Sequence, residues 1–305
     1  MMQNAVFGGV NAAVLTAIND DLSIDLDRMA RHCTWLLANG CDGLGVLGTT
    51  GEANSLGIAE RLSVMEGLAE RGIPVARLLP GTGTPALTDT VLLTRRAAEL
   101  DCRGALLLPP FFYKNPSDDG LFAYFSEVIE RVGGDIFFYL YHFPAQSGVP
   151  FGLDLVGRLL RAYPGKVKGI KDSSGDLAST RAYVEHYAGD GFEVYCGDDR
   201  LLHDLLQAGG AGSITAAANV GSSVAARVYR NWDRPAAIEA QAMLTAIRLA
   251  VTSVPLIAGL KALVARHTGD PSCRHLRPPH LRLSADQEAR LFAAFDACGS
   301  RLAAA

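Results

Sequence analysis

The chain has 305 residues, 49 % of them hydrophobic, with 32 glycines and a formal net charge of −4. That much apolar material fills a large packed core and excludes a disordered chain. The near-neutral balance, with basic residues scattered instead of gathered, excludes an electrostatic footprint for nucleic acid or anionic lipid, so a small-molecule partner is expected. No stretch approaches the roughly 18 to 20 apolar residues of a membrane span, and the amino terminus carries no charged, apolar and small-residue series of a leader, which predicts a cytoplasmic protein and no membrane partner. Cys33, Cys41, Cys102, Cys196, Cys273 and Cys298 lie far apart, with no paired spacing and no histidine at ligand spacing, so reduced structural thiols and no metal are expected.

In chain order, short apolar runs predict strands near 8–17, 43–47, 75–80, 104–108, 136–141, 167–171, 193–196 and 212–216. Amphipathic stretches between them predict helices near 25–39, 56–71, 86–100, 117–132, 153–163, 176–189, 199–208 and 221–231. Start and stop signals support several of these, such as Asp25 before a run ending at Asn39-Gly40 and Ser117 before Asp118 and Asp119. Eight strand-then-helix units predict a parallel α/β sheet closed as a (β/α)8 TIM barrel over residues 1–232. A doubly wound open sheet is the alternative, but it calls for a glycine-rich phosphate loop after the first strand, where Thr16-Ala17-Ile18-Asn19-Asp20 stands instead. From 233 to 305 the pattern is helical only, over 236–250, 256–268 and 284–302, and predicts a C-terminal helical segment.

Barrels of this kind carry their sites on the loops that follow the strands, and the polar motifs of this chain fall there. Lys171 ends the run Val167-Lys168-Gly169-Ile170-Lys171, in a chain with 5 lysines against 23 arginines. Strand alternation puts Val167, Gly169 and Lys171 on one face. A lysine there either snorkels to solvent or, held among apolar groups, supplies a neutral amine for imine formation with a carbonyl. Gly48-Thr49-Thr50-Gly51 after the second strand is either an anion cradle of N–H groups and hydroxyls or a turn whose threonines cap the next helix. Tyr141 closes the fifth strand as a proton shuttle or a core tyrosine, and His142 alternates to the opposite face as a packing residue. Asp172, Asp198 and Asp199 suit helix capping better than metal binding, having no ligand spacing. With no nucleophilic-serine elbow and no phosphate loop, lysine, tyrosine and threonine remain, a set suited to imine chemistry on a 2-oxo acid.

Five segments, in order and spanning nearly the whole chain, carry a specific likeness: Gly48-Thr49-Thr50-Gly51-Glu52, Pro109-Pro110-Phe111-Phe112-Tyr113, Tyr141 with Pro144 and Gly148, Gly169-Ile170-Lys171-Asp172-Ser173-Ser174-Gly175-Asp176, and Gly212-Ser213-Ile214 with Ala218-Asn219. With them the chain resembles the dihydrodipicolinate synthase and N-acetylneuraminate lyase superfamily of pyruvate-dependent class I aldolases. The resemblance implies that Lys171 forms a Schiff base with pyruvate, that Tyr141 moves protons through a relay containing Thr49, that Thr50 with the Gly48 turn binds the pyruvate carboxylate, and that the Ile214 carbonyl lies on the methyl side. It implies no cofactor and a homotetramer built as a dimer of dimers, in which a tyrosine after the fourth strand completes a neighbour's relay. Here Phe112 or Tyr113 takes that place.

Two departures bear on substrate. Gln146 stands where the synthases acting on aspartate semialdehyde have an arginine, and losing such a charged hydrogen bond costs about 2 to 5 kcal/mol. His142 replaces their asparagine, which resembles members acting on sugar acids or other catabolic 2-oxo acids, while Asp172-Ser173-Ser174-Gly175-Asp176 is similar to 2-keto-3-deoxy sugar acid aldolases and to the synthases. The expectation is therefore a lyase that cleaves or forms a 2-keto-3-deoxy sugar acid from pyruvate and an aldehyde, with Gln146, Ser173 and Asp198 on the aldehyde hydroxyls. The alternatives are 4-hydroxy-tetrahydrodipicolinate synthesis, a dehydratase or hydratase-aldolase on a related 2-oxo acid, or a 2-oxo acid binding protein without turnover.

Overall fold

A computed structural model describes residues 5–299 and residue 302. Seven parallel strands form one sheet: β1 (Gly9–Ala13), β2 (Gly43–Gly45), β3 (Gly104–Leu107), β4 (Phe137–His142), β5 (Val167–Asp172), β6 (Glu193–Cys196) and β7 (Gly212–Thr215), in the spatial order β2-β1-β7-β6-β5-β4-β3. The two edge strands are joined by the 75–80 run. Its start is a short 3-10 turn, Val75–Arg77, and only then does it extend, bridging Leu78 to Leu44 on β2 and Gly81 to Leu106 near the end of β3. The amides of Leu79 and Gly81 donate to the carbonyls of Leu44 and Val46 at 2.9 and 2.8 Å, and Leu106 N–H donates to Pro80 O at 2.8 Å. The barrel thus closes with a distorted eighth segment. Pro74 and Pro80 explain its brevity, since proline has no N–H to give to a ladder.

Helices alternate with these strands: α1 (Leu26–Ala38), α2 (Ile58–Glu70), α3 (Leu87–Glu99), α4 (Asp118–Val132), α5 (Pro144–Ser147), α6 (Leu153–Ala162), α7 (Leu177–Tyr187), α8 (Leu202–Gln207) and α9 (Ala218–Arg230). The expected start signals operate. Asp25 accepts from Arg28 N–H at 2.8 Å and the Ser117 hydroxyl accepts from Gly120 N–H at 3.1 Å, each satisfying an otherwise orphaned amide of the first turn. The single turn α5, opened by Pro144, is an element that periodicity does not reveal, being too short to show a period.

The tail is α10 (Ala236–Thr252), α11 (Leu256–Thr268) and α12 (Ala285–Ala297), so the predicted 284–302 helix stops earlier, with residues 300, 301 and 303–305 outside the described part. These helices join the main core: Leu244, Ile247 and Val251 of α10 are fully buried in the cluster that contains Val220 and Val224 of α9. Among the described residues no single helix is long and apolar enough to cross a membrane.

Two apolar layers result. One lies between the sheet and the helices; the other, inside the barrel, is Phe7, Leu79, Leu106, Tyr139, Tyr141, Tyr195, Ala211 and Ile214. The interior is floored by a buried carboxylate, Glu193, which accepts from the hydroxyls of Tyr139 and Tyr195 and from Val6 N–H. Gly169 makes the room for this packing, because a Cβ there would stand 2.4 Å from the Glu193 carbonyl and 2.9 Å from the Tyr139 ring. Simple alternation misplaces one residue: the β4–β5 register shifts at Phe138 and Tyr139, so Val167 pairs with Phe138 in the outer layer while Gly169 and Lys171 face inward.

Because α10 is fastened by apolar burial alone at Leu244, Leu244→Ala is expected to lower stability by about 2 to 5 kcal/mol in urea unfolding.

Candidate active site

Parallel pairing of β4 with β5 sets Tyr141 beside Lys171, both pointing into the barrel near its C-terminal end. Lys171 is 4 % exposed, and its Nζ lies 4.1 Å from the centroid of the Tyr141 ring. No carboxylate stands within 4.0 Å of that amine among the described residues; an aromatic face is its nearest charge-stabilising neighbour. The Tyr141 hydroxyl is 3.4 Å from the Thr49 hydroxyl, and the ring stacks on Phe143 with centroids 5.9 Å apart.

Thr49 and Thr50 sit in a turn that the chain holds under strain. Leu47 and Glu52 on either side adopt the left-handed region, with φ of 57° and 54°. Such conformations cost a non-glycine residue about 1 to 3 kcal/mol each and cluster at functional sites. The turn is held by Glu52 N–H on Thr49 O at 3.1 Å, Ala53 N–H on Gly48 O at 3.2 Å and the Thr16 hydroxyl on Gly51 O at 2.6 Å.

Above these residues opens a cavity of about 740 Å³. Lys171, Tyr141, Thr49 and Thr50 line it, with Phe143 and Gln146 after β4, Ser173 after β5, Gly197 and Asp198 after β6, and Ala216 after β7. Gly197 is there for contact, since a Cβ would fall 1.9 Å from the Ser173 hydroxyl. The carboxylate of Asp198 caps the next turn through Arg200 N–H at 3.0 Å while also lining the cavity, so capping and site are one residue. Burial alone would raise its pKa, but the hydrogen bonds from Arg200 and the charge of Arg248 bring it below the usual carboxylate value.

Three expected site residues lie off the main cavity. Gly48 lines a small recess beside Thr49 and Tyr141. Ile214 is wholly buried in the interior layer, and Ala216 reaches the cavity in its stead. Tyr113 is 76 % exposed on the surface, packed edge-on against Phe112 at 5.3 Å, and does not reach the cavity of its own chain. Lys114, next to it, ties this loop to α5 by donating to Ser147 O at 2.9 Å.

His142 faces outward as alternation requires. Its Nδ1 accepts from Phe151 N–H at 2.9 Å, leaving the proton on Nε2, 3.9 Å from Asp172 Oδ1. Asp172 accepts from Ser174 N–H and from the Thr180 hydroxyl, which makes it a loop-shaping residue.

The far side of the cavity comes from the tail: Arg248 on α10, Pro255 to Ala258 where α11 begins, and Pro279 to Arg282. An ion pair buried on both sides fastens this wall to the threonine turn. Lys261 of α11 donates to Glu52 and, at 2.6 Å, to His275 O, while the second Glu52 oxygen accepts from Arg277 N–H at 3.1 Å. Burial pushes the Lys261 ammonium below the ordinary lysine value, with the Glu52 charge opposing. Motif reading passed over Arg248 and Lys261. Their signal was a cation set in the middle of an apolar run, Ala246-Ile247-Arg248-Leu249-Ala250 and Gly259-Leu260-Lys261-Ala262-Leu263, and Lys261 is one of five lysines in the chain.

Residues 6–297 match the sequence model of the dihydrodipicolinate synthetase family. The chain belongs to that family. It is 34 % identical over 291 residues to an uncharacterized DapA-like lyase of Chloroflexus aurantiacus, covering 94 % of this chain and 96 % of that protein. Its structure matches that of dihydrodipicolinate synthase from Agrobacterium tumefaciens with a TM-score of 0.86 at 32 % identity, covering 95 % and 99 % of the two chains. It also matches YagE, a prophage protein of the family from E. coli solved with pyruvate, with a TM-score of 0.89 at 27 % identity, covering 97 % and 99 %. The TIM barrel with a helical C-terminal region is shared with these structures, and the chain is a lyase of the family's class I aldolase type.

Two outcomes follow from the polar contacts around the site. Lys261→Met strands the Glu52 carboxylate in the interior and is expected to cost about 3 to 5 kcal/mol in urea unfolding. Burial lowers the His142 pKa below its ordinary 6.5, with Asp172 opposing, and lowers that of His32 likewise. The unfolded chain then takes up these protons first, so stability is complete above about pH 6.5 and declines as the pH falls below it. His142→Gln, which keeps an acceptor for Phe151 N–H, should flatten part of the fall in Tm between pH 7 and pH 5.

Proposed function

We propose that this lyase forms a Schiff base between Lys171 and pyruvate, and cleaves or forms a 2-keto-3-deoxy sugar acid from pyruvate and an aldehyde. The observation that carries the reading is the buried Lys171 amine over the Tyr141 ring at the floor of an open cavity, with no acid partner among the described residues to keep it as a structural ion pair. The amine lies against a ring face and not against a carboxylate, so a carbonyl carbon entering the cavity can reach it.

In the cleavage direction the amine adds to C2 and water departs with protons carried by Tyr141. The protonated imine withdraws electrons as the C3–C4 bond breaks and the C4 hydroxyl loses its proton, releasing the aldehyde. The enamine is protonated at C3, and water returns to C2 to free pyruvate and the lysine. Thr49, at 3.4 Å, passes protons to and from Tyr141, and Thr50 with the N–H groups of its turn binds the substrate carboxylate. The Ile214 carbonyl takes the methyl side. Gln146, Ser173 and Asp198 face the aldehyde half, Ser173 and Asp198 being packed together through Gly197.

Exposure of Phe112 and Tyr113, at 71 % and 76 %, supports a homotetramer in which one of these rings completes the relay of a neighbouring subunit. A cytoplasmic location and a catalytic barrel over 1–232 with an appended helical segment over 233–305 are part of the same proposal.

A second reading is 4-hydroxy-tetrahydrodipicolinate synthesis. It is favoured by a relative of that name from Methanothrix thermoacetophila, 35 % identical over 216 residues and 70 % of each chain. Gln146 in the cavity wall weighs against it, offering an amide to a substrate carboxylate.

Borohydride added with pyruvate should trap a reduced adduct on Lys171, located by peptide mass spectrometry and absent from Lys171→Ala; folded protein with no adduct would refute the imine mechanism. Tyr141→Phe should keep the trapped adduct but lower kcat by about 10² to 10³, as loss of a positioned proton carrier does.

A further inference from the structure

Among the described residues, the arginines lining the cavity have no acidic partner within hydrogen-bond distance, whereas its acids are already matched. Glu52 is paired with Lys261 outside the lining, and Asp198 is gripped by Arg200 at 2.7 Å and 3.0 Å. By contrast Arg248, its side chain 16 % exposed, has as nearest acids Asp198 Oδ1 at 3.7 Å and Asp199 Oδ2 at 3.9 Å, both beyond hydrogen-bond reach. Burial raises the Asp199 pKa, and the charge of Arg248 opposes it. At the mouth, the one acid within 4.0 Å of Arg282 among the described residues is Asp20 at 3.9 Å, a carboxylate that is itself 95 % exposed.

Lys171 and the threonine turn account for the pyruvyl end of a substrate on the reading above, which leaves Arg248 as a second lining cation whose guanidinium donors make no hydrogen bond among the described residues. Its place is set by a continuous wall: Ser173 lies two residues beyond Lys171, Gly197 packs on Ser173, Asp198 follows, and Arg248 stands against Asp198. A neutral hydroxyl would satisfy one donor of the guanidinium and leave the others open. A carboxylate satisfies two parallel donors and the charge together.

We propose that Arg248 binds a carboxylate on the aldehyde half, so that the 2-oxo acid made or cleaved here is a dianion, with Arg282 steering it into the mouth. The proposal rests on the aldolase reading and narrows it to aldehyde acids. It also relocates anion recognition from the loop after β4, where Gln146 stands, to the α10 side of the cavity. In the synthetic direction C3 of the enamine bonds to the aldehyde carbon, the aldehyde oxygen takes up the proton that C3 released, and the distal carboxylate is unchanged.

The test compares matched aldehydes that differ only at the far end, tartronate semialdehyde against glyceraldehyde and succinic semialdehyde against 4-hydroxybutanal, each with pyruvate. The wild-type enzyme is expected to favour the acid of a pair in kcat/KM by about tenfold or more. Arg248→Met should reduce that ratio by a similar factor, chiefly through KM, and Arg248→Lys should restore part of it. A wild-type ratio at or below one in both pairs overturns the inference, as does an Arg248→Met variant that lowers acid and neutral aldehydes alike. The wild-type ratio decides even if Arg248→Met does not fold. Borohydride trapping of pyruvate on wild-type Lys171 separates the two layers: an adduct without acid preference removes only the Arg248 role, and no adduct removes the aldolase reading on which it rests.

Discussion

Everything at the site depends on one strand register. Tyr141 and Lys171 are partners across β4 and β5, and their position is reached only because the ladder slips once at Phe138 and Tyr139. A one-residue change of register turns every side chain of a strand to the other face. Without the slip, the amine that meets the Tyr141 ring would face the helices in the apolar outer layer, an environment with no partner for it. Gly169 and the edge-on pair of Tyr139 and Tyr195, both bonded to Glu193, pack against the slip from below, so the polar floor of the barrel and the chemistry at its top share strands β4 and β5.

The second constraint is electrostatic. A carboxylate and an ammonium taken fully from water are tolerated only as a matched pair with their remaining hydrogen bonds made. Glu52 and Lys261 meet that condition through His275 O and Arg277 N–H. The strained turn bearing Thr49 and Thr50 is thereby tied to the tail, more than 200 residues away in the chain. Strain at Leu47 and Glu52 persists because the surroundings over-determine it, and the ion pair is a large part of those surroundings.

The barrel was legible because each of its units repeats a local pattern, apolar run then amphipathic helix, and caps such as Asp25 and Ser117 act within three residues. Where local pattern gave out, long-range geometry had decided. The 75–80 run closes the barrel by isolated bridges because prolines at both ends interrupt its ladder, and α5 is too short to have a period. Lys171, Tyr141, Thr49 and Thr50 could be picked out by type and by their position at strand ends. Arg248 and Lys261 could not be placed in the same way, since nothing in a helical stretch tells which distant loop a given cation will meet. Ile214 and Tyr113 illustrate the converse: a motif marks a position without saying whether the side chain, the carbonyl or a surface outside the chain's own cavity is what it serves.

The cavity wall draws on segments from Thr49 to Gln287, with the floor from the barrel and the far side from the last three helices. Such a pocket has no partial form. A nascent chain that has closed its barrel but not yet laid down α10 to α12 has a lysine and a tyrosine in register beneath an open funnel, with the threonine turn still lacking Lys261. Turnover therefore requires the carboxyl-terminal helices to be docked, because they wall the far side of the cavity and supply the partner of Glu52.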